Sequence, residues 1–216
     1  MNLIAGLPLP PKPLLVVGGY GYRNAGDEAM LAGLLDLIGR EGVTVVSRSP
    51  AETAALHSVR SVSIAKAPAA LRSHRGVIIG GGGLFGRDMG RLGQLLPLAG
   101  LLATVGGRDV ALVGIGVDAD MPRRSARLLG ALARRATTVV VRDAASVSIM
   151  ADLGVDAVSR PDLSSVVQSA GRAAGVRELR MLGLKPDRRP VVGLCVTALQ
   201  ARLGERLASS IDALWR

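Results

Sequence analysis

Cysteine is nearly absent: Cys195 stands alone in 216 residues. One thiol excludes a disulfide scaffold and any cysteine-based zinc site, and it suits a reducing compartment. Histidine is as scarce, with only His57 and His74, so a histidine-rich centre is excluded too and no metal site is expected. Aromatic residues make up 2%, namely Tyr20, Tyr22, Phe85 and Trp215. That leaves little on which bases could stack. Lysine is short as well. Of the 27 basic residues 24 are arginine, spread along the chain in ones and twos and not gathered in a stripe. The formal charge of +10 therefore speaks for anionic small molecules or phosphate-bearing acceptors, and nucleic acid is not expected as a partner.

Long hydrophobic runs are missing. The longest uncharged stretch, between Arg91 and Arg108, has 16 positions and contains Pro97 and several glycines. A membrane span takes about 20, so a helix buried against a sheet is expected there. The opening, MNLIAGLPLPPKPLL, lacks a basic start and carries four prolines, which excludes a signal peptide and leads to the expectation of a cytoplasmic protein.

What is present is an ordinary globular balance, 49% apolar and 20% charged, which excludes a disordered chain. The length suits one domain, or one and a fragment. Short β-branched runs without polar alternation occur at Leu14–Gly18, Val43–Ser47, Val77–Ile79, Val110–Ile115 and Thr138–Val141. Such runs read as strands buried on both faces, as in a parallel sheet. Between them lie helical patterns: Met30, Leu31, Leu34, Leu35 and Ile38 after Asn24, then Ser125–Arg135 and Ala144–Leu153. Alternating strands and helices with short connections predict an α/β fold, a doubly wound parallel sheet of Rossmann-like type. The expected organisation is an N-terminal extension over 1–13 and the Rossmann-like domain over 14–176. A charged linker over 177–189 and an isolated β–α unit over 190–216 complete it.

Five strand ends carry residues suited to chemistry. Gly18–Met30, GGYGYRNAGDEAM, follows the first strand, where glycines let backbone N–H groups approach an anion at a helix start. Gly19 and Gly21 match a dinucleotide fingerprint but Asn24 replaces its third glycine, and Val45-Val46-Ser47-Arg48 offers no acid for a ribose. A nicotinamide dehydrogenase is therefore disfavoured. Asn24 and Asp27 read two ways, as a near capping box with Glu28 complementing the helix dipole, or as part of a ligand site with Tyr20, Tyr22 and Arg23. Val77–Asp88 holds the glycine block Gly80, Gly81, Gly82 and Gly83, which fits a tight turn, close packing or an approaching ligand. Gly114 and Gly116 end another strand. Arg142, Asp143 and Ser146 follow the next, where Asp143 or Ser146 also suits a helix cap. Arg160-Pro161-Asp162-Leu163 is the last.

In this order the five resemble the polysaccharide pyruvyltransferase family. The opening pattern G-x-x-G-x-x-N-x-G-D-E-A stands as Gly18 through Ala29, the glycine block with its later acid as Gly80–Gly83 and Asp88, and the V-R-D-x-x-S element at Arg142, Asp143 and Ser146. The resemblance runs over about residues 14–196. It implies the amino-terminal domain of a two-domain transferase of GT-B type. The implied activity moves a pyruvyl group from phosphoenolpyruvate to a sugar of a cell-surface glycan as a ketal, in polysaccharide or cell-wall biosynthesis, with no cofactor beyond that donor substrate.

The chemistry needs a carboxylate as acid or base and cations on the donor. Asp27 is the expected catalytic residue. Gly19, Tyr20, Gly21, Arg23, Asn24, Gly81, Gly82, Gly83, Asp88, Gly116 and Arg142 are the expected substrate-binding residues, with Arg23 or Arg142 as the anion contact. The expected partners are phosphoenolpyruvate and a sugar or glycan-lipid acceptor at a membrane surface, with a homodimer or a separate carboxy-terminal half. In the family the second domain supplies basic residues and a histidine to the donor site, and neither His57 nor His74 sits in a matching motif. The sequence reads as an amino-terminal half. Two further readings are a sugar-nucleotide glycosyltransferase and a non-catalytic half that binds the acceptor.

Overall fold

The computed structural model of the chain describes residues 3–86, 92–185 and 191. It divides into two units, Met1–Val167 and Gln168–Arg216. In the first, β1 (Leu14–Val17) leads through α1 (Ala25–Ile38) to β2 (Val43–Ser47), and α2 (Pro50–His57) leads to β3 (Arg60–Ser63). The short α3 (Ala67–Leu71) then precedes β4 (Gly76–Phe85). From there α4 (Leu92–Val105), β5 (Asp109–Val117), α5 (Arg123–Ala133), β6 (Thr138–Val141), α6 (Ala144–Asp152) and β7 (Val158–Ser159) alternate. All seven strands pair in parallel in the order β3-β2-β1-β4-β5-β6-β7. This is the doubly wound α/β sheet that the strand runs predict.

Each strand run feeds both faces of the sheet, so each face has its own core. Leu15, Val77, Ile79, Leu112 and Val139 pack toward α4, α5 and α6. Leu14, Val16, Val45, Ile78 and Val113 pack toward α1. Leu3 and Ile4, in the stretch expected as an extension, are buried in that second core. The order reverses between β1 and β4, and at that crevice open α/β sheets bind their ligands.

Three features of the fold matter for the site, and the first departs from the sequence expectation. The glycine block is not a turn after a strand. β4 runs on through Gly80–Gly83 to Phe85, with a register shift against β5 between Gly82 and Phe85. Left-handed backbone at Gly81 and Gly82 kinks the strand without ending its pairing. Second, α4 is buried on one side only: Leu95, Leu98, Leu102 and Val105 on the other are exposed. Third, a short 3₁₀ turn, Leu163–Val166, folds back against α1 and buries Leu163 among Leu31, Leu34 and Val113.

In the second unit α7 (Arg172–Met181) runs into the stretch expected as a linker. The tail expected as a β–α unit lies outside the described residues apart from Val191.

The buried Leu163 fixes the turn that carries Asp162. Leu163→Ala should cost ~2–5 kcal/mol of unfolding free energy in urea, the usual loss for truncating a fully buried leucine.

Candidate functional site

The loop Gly18–Asn24 connects β1 to α1 at the carboxyl ends of the strands, beside the glycine segment of β4. Tyr20 joins the two. Its side chain is wholly buried and its hydroxyl donates to the Gly80 carbonyl at 2.6 Å. Burial pushes the phenol far above its usual range, so it stays a donor. Expected as a substrate contact, Tyr20 has no surface left for a ligand and serves to tie the loop to β4.

Glu28 has a larger role than dipole compensation. Its Oε1 accepts the Gly21 N–H at 2.8 Å, and its Oε2 lies 2.7 Å from His57 Nε2 on α2. A partly buried carboxylate thus pins the loop to two helices. Gly21 packs against Ser47 and the backbone of Arg48 and Ser49, which leaves its Cα no room for a side chain. Asn24 caps α1, accepting the Gly26 N–H at 3.0 Å.

Asp27 stands between the two glycine segments. A Cβ at Gly82 would fall 2.6 Å from its Oδ1, and one at Gly19 would fall 3.1 Å from its Oδ2. Gly82 is also left-handed, with φ +92°, so a side chain there would be strained twice over. Loss of hydration pushes the Asp27 carboxyl above the usual aspartate range. The negative charge of Glu28 adds to the rise, while the Arg142 guanidinium and a hydrogen bond with Asn24 oppose it.

Arg142 follows β6 and lies across Gly116, where a Cβ would sit 2.7 Å from its Nε, with its Nη2 toward Gly83. Its acidic neighbours are loose: Asp143 Oδ2 and Asp162 Oδ2 are each 3.7 Å away. Asp143 caps α6 through the Ser146 N–H at 2.7 Å, which holds its carboxyl below the usual range. Ser146 is buried, its hydroxyl accepting the Val117 N–H at 3.0 Å. Asp143 follows the cap reading, whereas the Ser146 hydroxyl ties α6 to the end of β5.

The fold therefore brings together Asp27, Gly19, Gly81, Gly82, Gly83, Gly116 and Arg142. It does not bring Arg23 to them. The Arg23 backbone is left-handed and its side chain, 81% exposed, pairs with Glu52 of α2 at 2.7 Å. Asp88 lies outside the described residues. Asp162, singled out with the last strand end but given no role there, enters through the 3₁₀ turn. His57 gave no signal, since only the fold carries α2 to Glu28.

A half-buried carboxyl with a raised pKa, facing a lightly paired guanidinium across a glycine-lined cleft, can hold a proton beside an anion. The family model of the polysaccharide pyruvyl transferases matches residues 24–191. The chain belongs to that family. HepE of Anabaena shares the fold. Its complex with UDP matches at 13% identity and TM-score 0.50 over 79% of this chain and 50% of that one. Its complex with UDP-glucose matches at 13% identity and TM-score 0.51, again over 79% and 50%. The chain thus spans about half the length of these structures. No curated protein matches it. Among the described residues no helix is long and apolar enough to cross a membrane.

Two stability predictions follow from the geometry. Glu28→Ala should lose about 1–3 kcal/mol in urea, because the Gly21 N–H and the His57 ring lose their acceptor, and Glu28→Gln should lose less. For Asp27 the sign runs the other way. A raised folded-state pKa means that ionisation costs stability, and the loss sets in as pH rises from the ordinary value of 3.8 through the folded-state value. Asp27→Asn should therefore be at least as stable as the parent at pH 7, with the advantage gone at pH 3. A less stable Asn variant at pH 7 would make Asp27 a structural residue.

Proposed function

We propose that the Asp27–Arg142 cleft is the acceptor-side half of a pyruvyl transfer site. It takes phosphoenolpyruvate as donor and a sugar of a lipid-linked or cell-surface glycan as acceptor, and it works in the cytoplasm. The family membership supports the reaction class. The observation that carries the site is the Asp27 carboxyl held half-buried between Gly19 and Gly82 with its pKa raised.

In this reading the reaction joins the donor C2 to two sugar oxygens. The donor methylene carbon gains a proton, the first sugar hydroxyl adds to C2, inorganic phosphate leaves, and the second hydroxyl closes the ketal. Each hydroxyl gives up one proton; one is balanced by the proton taken up at the methylene carbon, and the other leaves with phosphate. Asp27 is the group suited to the proton traffic: loss of hydration favours its protonated form, and deprotonated it is a base for a hydroxyl. Arg142, held loosely by its acidic neighbours, is the group for the donor carboxylate or phosphate. Other cations for the donor come from the second half of the site. A sugar-nucleotide transferase shares the architecture, but the likeness to HepE speaks for fold alone.

The test is phosphate release from phosphoenolpyruvate with glycan acceptors, run on a form that carries both halves of the site. Asp27→Asn should lower turnover by about 100- to 10,000-fold. Arg142→Gln should raise the donor KM. Transfer at the parent rate in Asp27→Asn would remove Asp27 from the chemistry.

A further inference from the structure

The crossover from β3 to β4 is made by a 3₁₀ turn, Ile64–Lys66, and a helix of 5 residues, α3, too short to cover the strands beneath it. An apolar groove of about 380 Å³ is left between α3 and α4. Its floor is Leu15, Val17, Val46 and Ile79, and Leu71 and Leu96 stand on its walls. At one end it reaches Gly18, Gly19 and the half-exposed ring of Tyr22, the same loop that bounds Asp27 on its other side. Among the described residues Arg48 is the one charged residue in the lining.

The groove continues onto α4. That helix has no charged residue, and its outer stripe of Leu95, Leu98, Leu102 and Val105 is 42–84% exposed. A helix apolar on both sides needs cover on both sides, and the sheet supplies only one.

Charge decides what covers the other. From residue 53 to residue 108 the sequence holds seven lysines and arginines and a single acid, Asp88. Lys66 sits between the lining residues Ile64 and Ala67, and Arg72 follows the lining residue Leu71; both are exposed. Arg108 lies three residues beyond α4, its guanidinium on the Gly106 carbonyl. A second copy laid on this face would bring the same cations together. A surface that offers hydrocarbon below and phosphate at its rim meets both features at once.

We infer that the α3–α4 face docks on an anionic phospholipid leaflet, with the α4 stripe among the acyl chains and Lys66, Arg72 and Arg108 among the headgroups. The docking stands on the groove and its cations. Its use, to present the Gly18–Asp27 loop to a lipid-linked sugar, rests on the function proposed above. Binding and transfer can therefore fail separately.

The experiment is flotation of the full chain with vesicles of phosphatidylcholine, with and without phosphatidylglycerol, at low and high salt. The chain should float with the phosphatidylglycerol vesicles, less so at high salt, and stay behind with phosphatidylcholine alone. Leu98→Asp/Leu102→Asp and Lys66→Glu/Arg72→Glu, all at exposed positions, should each weaken that binding by about tenfold or more with melting unchanged. No binding to the anionic vesicles overturns the inference, and so does equal binding by the folded Leu98→Asp/Leu102→Asp variant. A parent dimer in sedimentation that this variant turns into a monomer would give the face to a second copy and overturn it as well.

Discussion

The hydrogen bond from the Tyr20 hydroxyl to the Gly80 carbonyl joins the loop after β1 to the glycine segment of β4. Everything proposed for the site depends on that approach. With both partners buried, the bond forms in low dielectric and an unpaired hydroxyl there would be costly. The approach puts Gly19 and Gly82 on either side of one carboxylate, close enough that side chains would collide with it. Glu28 and His57 hold the same loop from the other direction. Asp27 thus loses water without gaining a tight cationic partner, and its pKa rises for that reason.

Much of this was legible in the sequence. Buried strands announce themselves as unbroken β-branched runs, and the glycines stand at strand ends because only there do backbones have to approach so closely. The order of the motifs pointed to the family, and Asp27 and Arg142 are brought to one edge as expected. Periodicity could not distinguish a strand that stops at Ile79 from one that bends through four glycines and continues. A bulge and a turn use the same residue, and the pairing partner across the sheet decides between them.

Side-chain direction was the least legible. Arg23 and Tyr20 sit in the same glycine-rich loop as Asp27, yet one turns outward to Glu52 and the other inward to the core. The left-handed backbone at Arg23 sets the first, and the hydroxyl acceptor at Gly80 sets the second. Glu28 looks like a dipole partner until α2 brings His57 to it. The apolar stretch of α4 reads as a helix buried against a sheet, but a sequence does not show that its outer side stays exposed beside a crossover helix only 5 residues long.

The same short helix links the two halves of the account. One side of the Gly18–Asn24 loop bounds the Asp27 cleft and the other closes the apolar groove, so a sugar and the lipid that carries it would meet on a single loop. The proposed chemistry rests on the state of one carboxyl. Carbon-13 NMR titration of the Asp27 side chain in the intact chain measures it directly. The account predicts a midpoint above the ordinary aspartate value, moving higher still in Arg142→Gln as the opposing charge is removed. A midpoint at or below the ordinary value, unmoved by that substitution, would contradict it.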